Sequence, residues 1–457
     1  MTKPTIADLM QSQREFFADG RTRDIRFREK QLKSLMNAVL ENEEAVFDAL
    51  KLDMKRPRFE AYSADIAHVK NEITFALKNL RSWARPKKAR TPFAFFPARS
   101  YVYSEPYGIA LIMGPWNYPV QLLLAPLVGA ISAGNCAVLK PSEHAEHSSR
   151  LIAKICSDNF DPAYISVVEG GVETGKTLLR EKFDYIFFSG GPAVGRKVME
   201  AAAKHLTPVT LELGGKSPCI VDIDIDVEVA ARRIVWGKFF NAGQTCIAVD
   251  YLLVHKQIRE ELVEYIKKYI REFFGADPSK SPDYARIINK RHFDRVNTLL
   301  SQGRIITGGR TDPEDLYISP TVIDEVSPDF AVMQEEIFGP ILPVIEYDNL
   351  DDAIRIVNER PKPLALYLFS RDREKQKLVL NNTSSGGGCI NDTMLHQPTV
   401  DMPFGGVGES GIGNYHGLAG FETFSHKRSI IRKSFMFDLK LRYPPYENHL
   451  RFLKKLF

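Results

Sequence analysis

Cysteine is scarce in this 457-residue chain: there are five, at 136, 156, 219, 246 and 389. An odd number with no Cys-x-x-Cys pair and no Cys/His ligand spacing argues against a disulfide framework and against a structural zinc. Free thiols in a reducing compartment are expected, and no metal. Charge of one sign is scarce too. The net charge is +4, too little to imply a nucleic-acid or other polyanionic partner. The excess gathers late, where residues 427–457 hold nine Lys or Arg against Asp438 and Glu447. Residues 1–17 are polar and mixed in charge, so no signal peptide is read there. Repeats and low-complexity tracts are missing. Residues 120–139 approach the ~20 apolar residues a membrane span needs, but Gln121, Pro126, Ser132 and Asn135 interrupt them. They read as a buried helix running into a strand at 136–139, and a soluble, cytoplasmic protein is expected.

What is present suffices for two or three domains, with 44% hydrophobic residues to fill their cores. Residues 24–83 carry helical patterns (Leu32, Leu35, Met36, Val39, Leu40; Ile66, Val69, Ile73, Leu77). A basic, proline- and aromatic-rich break at 86–97 precedes an alternating strand at 99–105. From 108 to 221, strands at 109–113, 137–139, 165–168, 185–188 and 218–221 are separated mostly by helical patterns, which predicts an α/β fold with a doubly wound parallel sheet. A second α/β region runs from about 230 to 391.

The chemistry centres on Cys246, which follows a helical pattern and the polar turn Asn241-Ala242-Gly243-Gln244. A catalytic thiol needs exposure, a lowered pKa or a nearby base, and donors for the charge it creates. Glu212, between leucines and before Gly214 and Gly215, reads as a partly desolvated acid whose raised pKa suits a general base; its rival is a solvated strand-end glutamate. Asn117, just after the strand 109–113 and between Pro115 and Pro119, is placed to donate to an oxyanion; its rival is an ordinary turn asparagine. The run Gly190, Gly191, Pro192, Ala193, Val194, Gly195 joins a strand to a helix and exposes backbone N–H groups to a pyrophosphate. Lys140, Ser142 and Glu143 follow another strand end and offer an ammonium and a carboxylate to ribose hydroxyls.

Two glycine motifs compete. Residues 406–411 spell GxGxxG, but no strand leads in and no helix start follows. Residues 170–177 spell GxxxxGK[ST] after a strand, the pattern of a P-loop. Glu173 would push a carboxylate into that phosphate cradle, and the P-loop reading leaves Cys246, Glu212 and Asn117 without a role.

Six short motifs in order, around Pro115–Asn117, Lys140–Glu143, Leu211–Lys216, Gln244–Cys246, Glu335–Pro340 and Pro403–Gly406, resemble those of the aldehyde dehydrogenase superfamily. A start within the first helices, the run 205–212 and Arg442-Tyr443-Pro444-Pro445 are similar to its class 3 branch of fatty and aromatic aldehyde dehydrogenases. The resemblance implies a Rossmann-like cofactor domain (1–85 and 106–210), an α/β catalytic domain (211–395), a small β oligomerisation arm (86–105 and 396–435), a basic tail (436–457) and a homodimer. It implies oxidation of an aliphatic or aromatic aldehyde to an acid by NAD or NADP, through a thiohemiacetal and a thioester on Cys246. Asn117 and the Cys246 N–H would hold the oxyanion, and Glu212 would activate the hydrolytic water. Glu336 would hold the nicotinamide ribose, Phe338 would pack near the ring, and Lys140 with Glu143 would meet the adenosine ribose. Glu143 favours NAD, while class 3 members often accept NADP. Gly191 stands where the family often has Ser or Thr, which removes a hydroxyl cap. A CoA-acylating relative is the alternative; such enzymes commonly lack the glutamate. The tail's Leu450, Leu453 and Phe457 would share one helical face, either docking over the substrate entrance or partner subunit, or touching anionic lipid.

Overall fold

Apolar runs bounded by glycine and proline become buried strands. A computed structural model describes residues 5–438, 440–447 and 449–456. Its first sheet orders the strands Gly411–Ile412, Val209–Glu212, Tyr185–Ser189, Ile109–Met113, Cys136–Lys140 and Ile165–Val167. All neighbours are parallel except the short edge strand Gly411–Ile412. Ile109–Met113 and Cys136–Lys140 are buried at every residue, as a sheet covered on both faces demands. The chain steps outward from Ile109–Met113 to Ile165–Val167, then returns to lay Tyr185–Ser189 on the other side. The order therefore reverses between Ile109–Met113 and Tyr185–Ser189, and the crevice beyond their C-terminal ends is where open α/β sheets bind ligands. The helix Gln121–Ala133 is wholly buried, encloses Pro126 and ends at Gly134 (φ 96°).

One strand changes sheets relative to expectation. Pro218–Val221, read as closing the first sheet, sits inside a second one ordered Arg304–Thr307, Thr321–Asp324, Ile341–Tyr347, Tyr251–His255, Pro218–Val221, Ala365–Phe369, Gly387–Ile390. Only the Arg304–Thr307 pairing there is antiparallel. Alternation and apolarity mark a strand without saying which sheet it joins. Leu211 and Glu212, expected to open the catalytic unit, close the first sheet instead, so the crossing occupies 213–217. Gly214 leaves room there for the Glu336 carboxylate, whose Oε2 would stand 2.1 Å from a Cβ.

The glycine decoys resolve on geometry. The helix Val172–Leu178 begins right after Gly171, which puts Gly175 and Lys176 inside it, and Lys176 pairs with Glu173 at 2.7 Å. No phosphate cradle forms. Residues 406–411 make a short turn, Gly408–Ser410, running into the edge strand. A third sheet joins Lys87–Ala89, Ala98–Pro106 and Ser425–Lys433, the last two in register over nine residues. The tail forms a helix, His449–Leu456. Asn448, Phe457 and the side chains of Leu453 and Lys455 lie outside the described residues, and with them the expected apolar face. Among the described residues no helix is long and apolar enough to cross a membrane.

Asn135 ties the first sheet to the end of the helix Gly417–Thr423. Its Oδ1 accepts from Gly108 N–H and its Nδ2 donates to the Phe424 carbonyl, both at 2.9 Å and buried. Asn135→Ala strands both backbone groups, each worth about 1–3 kcal/mol when buried and unpaired. The expected result is a lower urea midpoint in a circular-dichroism titration, and an unchanged midpoint would show these bonds to be dispensable.

Candidate active site

The loop before Cys246 is held in a conformation that side chains ordinarily avoid. The helix Val227–Phe239, capped by the Asp226 side chain on Val229 N–H (3.0 Å), runs into Asn241 (φ 53°) and Ala242 (φ 52°), both left-handed. Each such residue costs about 1–3 kcal/mol unless its surroundings hold it. They do. Glu60 accepts the Asn241 N–H (3.0 Å), and Asn241 Nδ2 donates to the carbonyls of Asn117 and Gln244, both at 3.2 Å. Gln244 donates to the Asn241 and Arg286 carbonyls (3.0 and 2.9 Å) and accepts from Ile288 N–H (3.0 Å). Gly243 (φ 73°) passes where a Cβ would stand 2.3 Å from the Gly339 carbonyl.

Asn117 reaches the same loop from the strand end. It is buried, and its Nδ2 donates to the Gln244 carbonyl at 3.1 Å. An amide nitrogen has two hydrogens, so one remains for a ligand. The segment holding it is fixed by Arg56, which donates to the Asn117 carbonyl and, at 3.2 Å, to Asn241 Oδ1.

Glu212 ends its strand buried, against the solvated alternative. It accepts from the Ser189 hydroxyl and faces the Cys246 thiol, which acts on its titration. Burial raises its pKa, with those two side chains opposing. Cys246 is half-buried by its surroundings. Its pKa stands well above the ordinary thiol value, first through desolvation and then through the charges of Glu212 and Glu336. The two companions expected of a reactive thiol, base and donors, are at hand; a lowered pKa is not.

Two cavities meet at this pair. One of about 460 Å³ lies at the reversal of the first sheet, lined by Trp116, Asn117, Ser189, Gly190, Gly191, Pro192, Ala193, Val194, Glu336 and Phe338. The other, about 210 Å³, is walled by Phe59, Tyr118, Trp236, Phe240, Met394 and Phe404, with His68 and Gln121 among the few polar groups. Glu212 and Cys246 line both. Pro192 is the first residue of the helix Pro192–Ala203, whose N-terminus opens on the larger cavity.

Not every expected residue reaches it. Gly195 lies within that helix, where a Cβ would stand 2.7 Å from the Leu213 side chain, so it serves helix–sheet packing. Lys140 and Glu143 pair with each other at 2.9 Å at the neighbouring strand end and are not in the cavity wall. Glu336 is in that wall; its Oε1 is buried without a hydrogen-bond partner among the described residues, while Gly215 N–H donates to its carboxylate. Phe338 (φ 46°) packs edge-on against Trp116, ring centres 5.2 Å apart. An orphaned acceptor beside a helix N-terminus suits a ligand with hydroxyl and phosphate groups, which a dinucleotide has. Arg56, Ser189 and Gln244 were missed as site residues. Ser189, at the head of the glycine turn, and Gln244, in the turn before the cysteine, left local traces; Arg56 left none.

The chain matches the sequence model of the "Aldehyde dehydrogenase family" over residues 1–430. It is 47% identical over 444 residues to a 4,4'-diaponeurosporen-aldehyde dehydrogenase of Staphylococcus aureus, with 97% of each chain covered. It is 46% identical over 442 residues to the "Aldehyde dehydrogenase, dimeric NADP-preferring" of Mus musculus, covering 96% of this chain and 98% of that one. Among solved structures, "Substrate bound state of Staphylococcus Aureus AldH" superposes with a TM-score of 0.97 at 45% identity, covering 99% of both chains.

Glu336 generates a test of its own. Burial, helped by the Asp250 charge, pushes its pKa up to about 8 from an ordinary 4.5. Between those values the fold holds a proton that the unfolded chain releases, so the contribution of Glu336 to stability falls as pH rises through that window. Glu336→Gln should flatten the decline of Tm across this range in cofactor-free protein, measured by scanning calorimetry. A variant slope equal to wild type would contradict the shift.

Proposed function

The chain belongs to the aldehyde dehydrogenase family and oxidises aldehydes to carboxylic acids with NAD or NADP, and we propose that Cys246, Glu212 and Asn117 carry the reaction. The observation behind this reading is that Glu212 and Cys246, side by side, line both cavities. A group in either space meets the same sulfur and the same carboxylate.

The Cys246 thiol passes its proton to Glu212 as Sγ attacks the aldehyde carbon. The free hydrogen of Asn117 Nδ2 and the Cys246 N–H hold the oxygen that becomes negative. The oxidised nicotinamide cofactor supplies the acceptor for the hydride that leaves this carbon. The product on the sulfur is a thioester. Glu212, after releasing its proton, takes one from water, the water oxygen joins the acyl carbon, and Sγ leaves as the acid forms. Hydrolysis rather than CoA transfer is favoured because the glutamate base is present beside the sulfur.

The backbone from Gly190 to Val194 would bind the pyrophosphate. Glu336 Oε1 would accept a hydroxyl of the nicotinamide ribose, and Phe338 would flank the ring. Lys140 and Glu143, at the adjoining strand end, are assigned to the adenosine ribose. The first sheet would be the cofactor domain, the second the catalytic one. The smaller cavity suits alkyl, polyene or aromatic aldehydes, in keeping with the polyene aldehyde named for the Staphylococcus aureus relative. A cytoplasmic homodimer joined through the three-stranded sheet is our reading of the assembly, supported by the mouse relative being described as dimeric. Exposed Phe435 and Met436, ahead of the tail helix, suit a partner or lipid contact.

Stopped-flow cofactor reduction tests the scheme. Cys246→Ser should abolish both burst and turnover. Glu212→Gln should slow both by roughly 10²–10⁴-fold, the usual weight of a positioned general base; a burst at full rate would restrict Glu212 to hydrolysis. Asn117→Ala should cost about 3–4 kcal/mol in the barrier, read from kcat. A loss under about tenfold, which is ~1.4 kcal/mol, would remove Asn117 from the oxyanion site.

A further inference from the structure

One buried cluster beside the smaller cavity is not used by the proposed scheme. The helix Ala67–Trp83 carries His68 and Glu72 one turn apart, and the approach to the helix Gly417–Thr423 brings His416 against them. All three are buried. His68 Nε2, Glu72 Oε1 and His416 Nδ1 lie within 4.8 Å of one another. Glu72 Oε1 is 2.6 Å from His416 Nδ1 and 3.9 Å from His68 Nε2. Neither contact meets hydrogen-bond geometry, although the first is an ion pair whenever His416 is protonated. Each of the three atoms is thus without a hydrogen-bond partner among the described residues.

The rest of the cluster is ordered around that point. Glu72 Oε2 accepts from Gly417 N–H at 3.0 Å, which turns Oε1 toward the imidazoles. His416 is held at φ 81°, a conformation costly for a non-glycine residue. The two imidazole rings meet edge-on, centroids 4.7 Å apart. Buried polar atoms ordinarily find partners, and those that do not call for an ion or water. Three that converge, two imidazole nitrogens and one carboxylate oxygen, form a donor set of the kind that binds zinc and its neighbours.

We propose that His68, Glu72 and His416 bind a divalent transition-metal cation of the zinc class. Bonds of about 2.0–2.2 Å place tetrahedral ligand atoms roughly 3.3–3.6 Å apart. The 2.6 Å contact must therefore open and the 3.9 Å one close, each by a fraction of an ångström, within reach of side-chain torsions. His68 is also in the wall of the smaller cavity, which gives the ion an entrance and a water for its fourth position. Bound there, the cation cross-links that wall to the segment following Gly411, the residue paired with Glu212 across the sheet edge.

The test is made in the Cys246→Ser protein, because the active-site thiol would itself capture zinc. The protein is equilibrated with Zn²⁺, dialysed against metal-free buffer and measured for retained metal; Co²⁺ is used in parallel for its visible spectrum. A single retained equivalent, lost on adding His68→Ala or Glu72→Gln, is expected. Cobalt should show tetrahedral nitrogen/oxygen bands with no thiolate charge-transfer band, and zinc should raise Tm only with the triad intact. No retained metal would make water the occupant and overturn the proposal, as would stoichiometry unaffected by either substitution. Should Glu72→Gln not fold, His68→Ala decides, since His68 bonds no backbone of the loop it faces.

Discussion

The active-site loops hang on one ion pair without solvent, Arg56 Nη1 with Asp65 Oδ2 at 2.6 Å, both side chains fully buried. Desolvating two charges costs several kcal/mol each, and a buried pair is tolerable only when its remaining donors and acceptors are satisfied. Here they are. Asp65 Oδ1 takes the N–H groups of Val120 and Gln121 at 3.1 and 2.9 Å, fixing the turn into the buried helix. Arg56 serves the Asn117 carbonyl and Asn241 Oδ1, and its guanidinium lies 4.6 Å from the centre of the Tyr118 ring. One cation from the N-terminal helical region thereby joins the loop that carries Asn117 to the loop that carries Cys246. The left-handed Asn241 and Ala242 persist because these bonds over-determine them.

That rigidity lets two residues serve two cavities. Glu212 ends a strand of the first sheet and Cys246 lies beyond a helix packed on the second, so their contact, like that of Asn117 with Gln244, joins the two α/β units. The edge strand Gly411–Ile412 covers the strand of Glu212 on its open side, and Ser189 holds the carboxylate from the other. A base confined in this way stays within reach of the sulfur and of water beside it. The chemistry is thus placed by the seam between domains and by neither domain alone.

The sequence was legible wherever the signal was local. The five apolar runs between 109 and 221 all became strands, because a parallel sheet buried on both faces needs continuous β-branched and aliphatic residues. The turn before Cys246 announced itself by its Asn, Gly and Gln, and the helix start at Pro192 by a proline at its first position. What stayed hidden depends on partners far along the chain. Nothing near Pro218 says that its strand joins Tyr251–His255 rather than Val209–Glu212. Arg56 resembles any helix-end arginine until Asp65, Asn117 and Asn241 surround it. His68 and Glu72 stand at ordinary helical spacing, and His416 completes the cluster only through the fold, which a search for Cys/His spacing cannot see. Lys140 and Glu143 were legible as a strand-end motif, but their pairing with each other was not.

The charges around the sulfur decide what kind of nucleophile Cys246 is. Many reactive cysteines rest as thiolates because a helix N-terminus or a cation lowers their pKa. Here the groups that act on Sγ are two carboxylates, Glu212 and Glu336, added to burial, and only its own backbone N–H opposes them. A standing thiolate would place a charge beside two carboxyl groups in a pocket whose burial already disfavours charge. On the proposed scheme the sulfur stays protonated until a base takes the proton, and that base is the adjacent Glu212, whose own pKa burial raises. Ionisation and attack are then one event that needs the aldehyde in place. The same arrangement keeps the resting sulfur a poor target for oxidants, since the thiolate is the reactive form. Burial thus gives the glutamate its basicity and delays the nucleophile until substrate is bound.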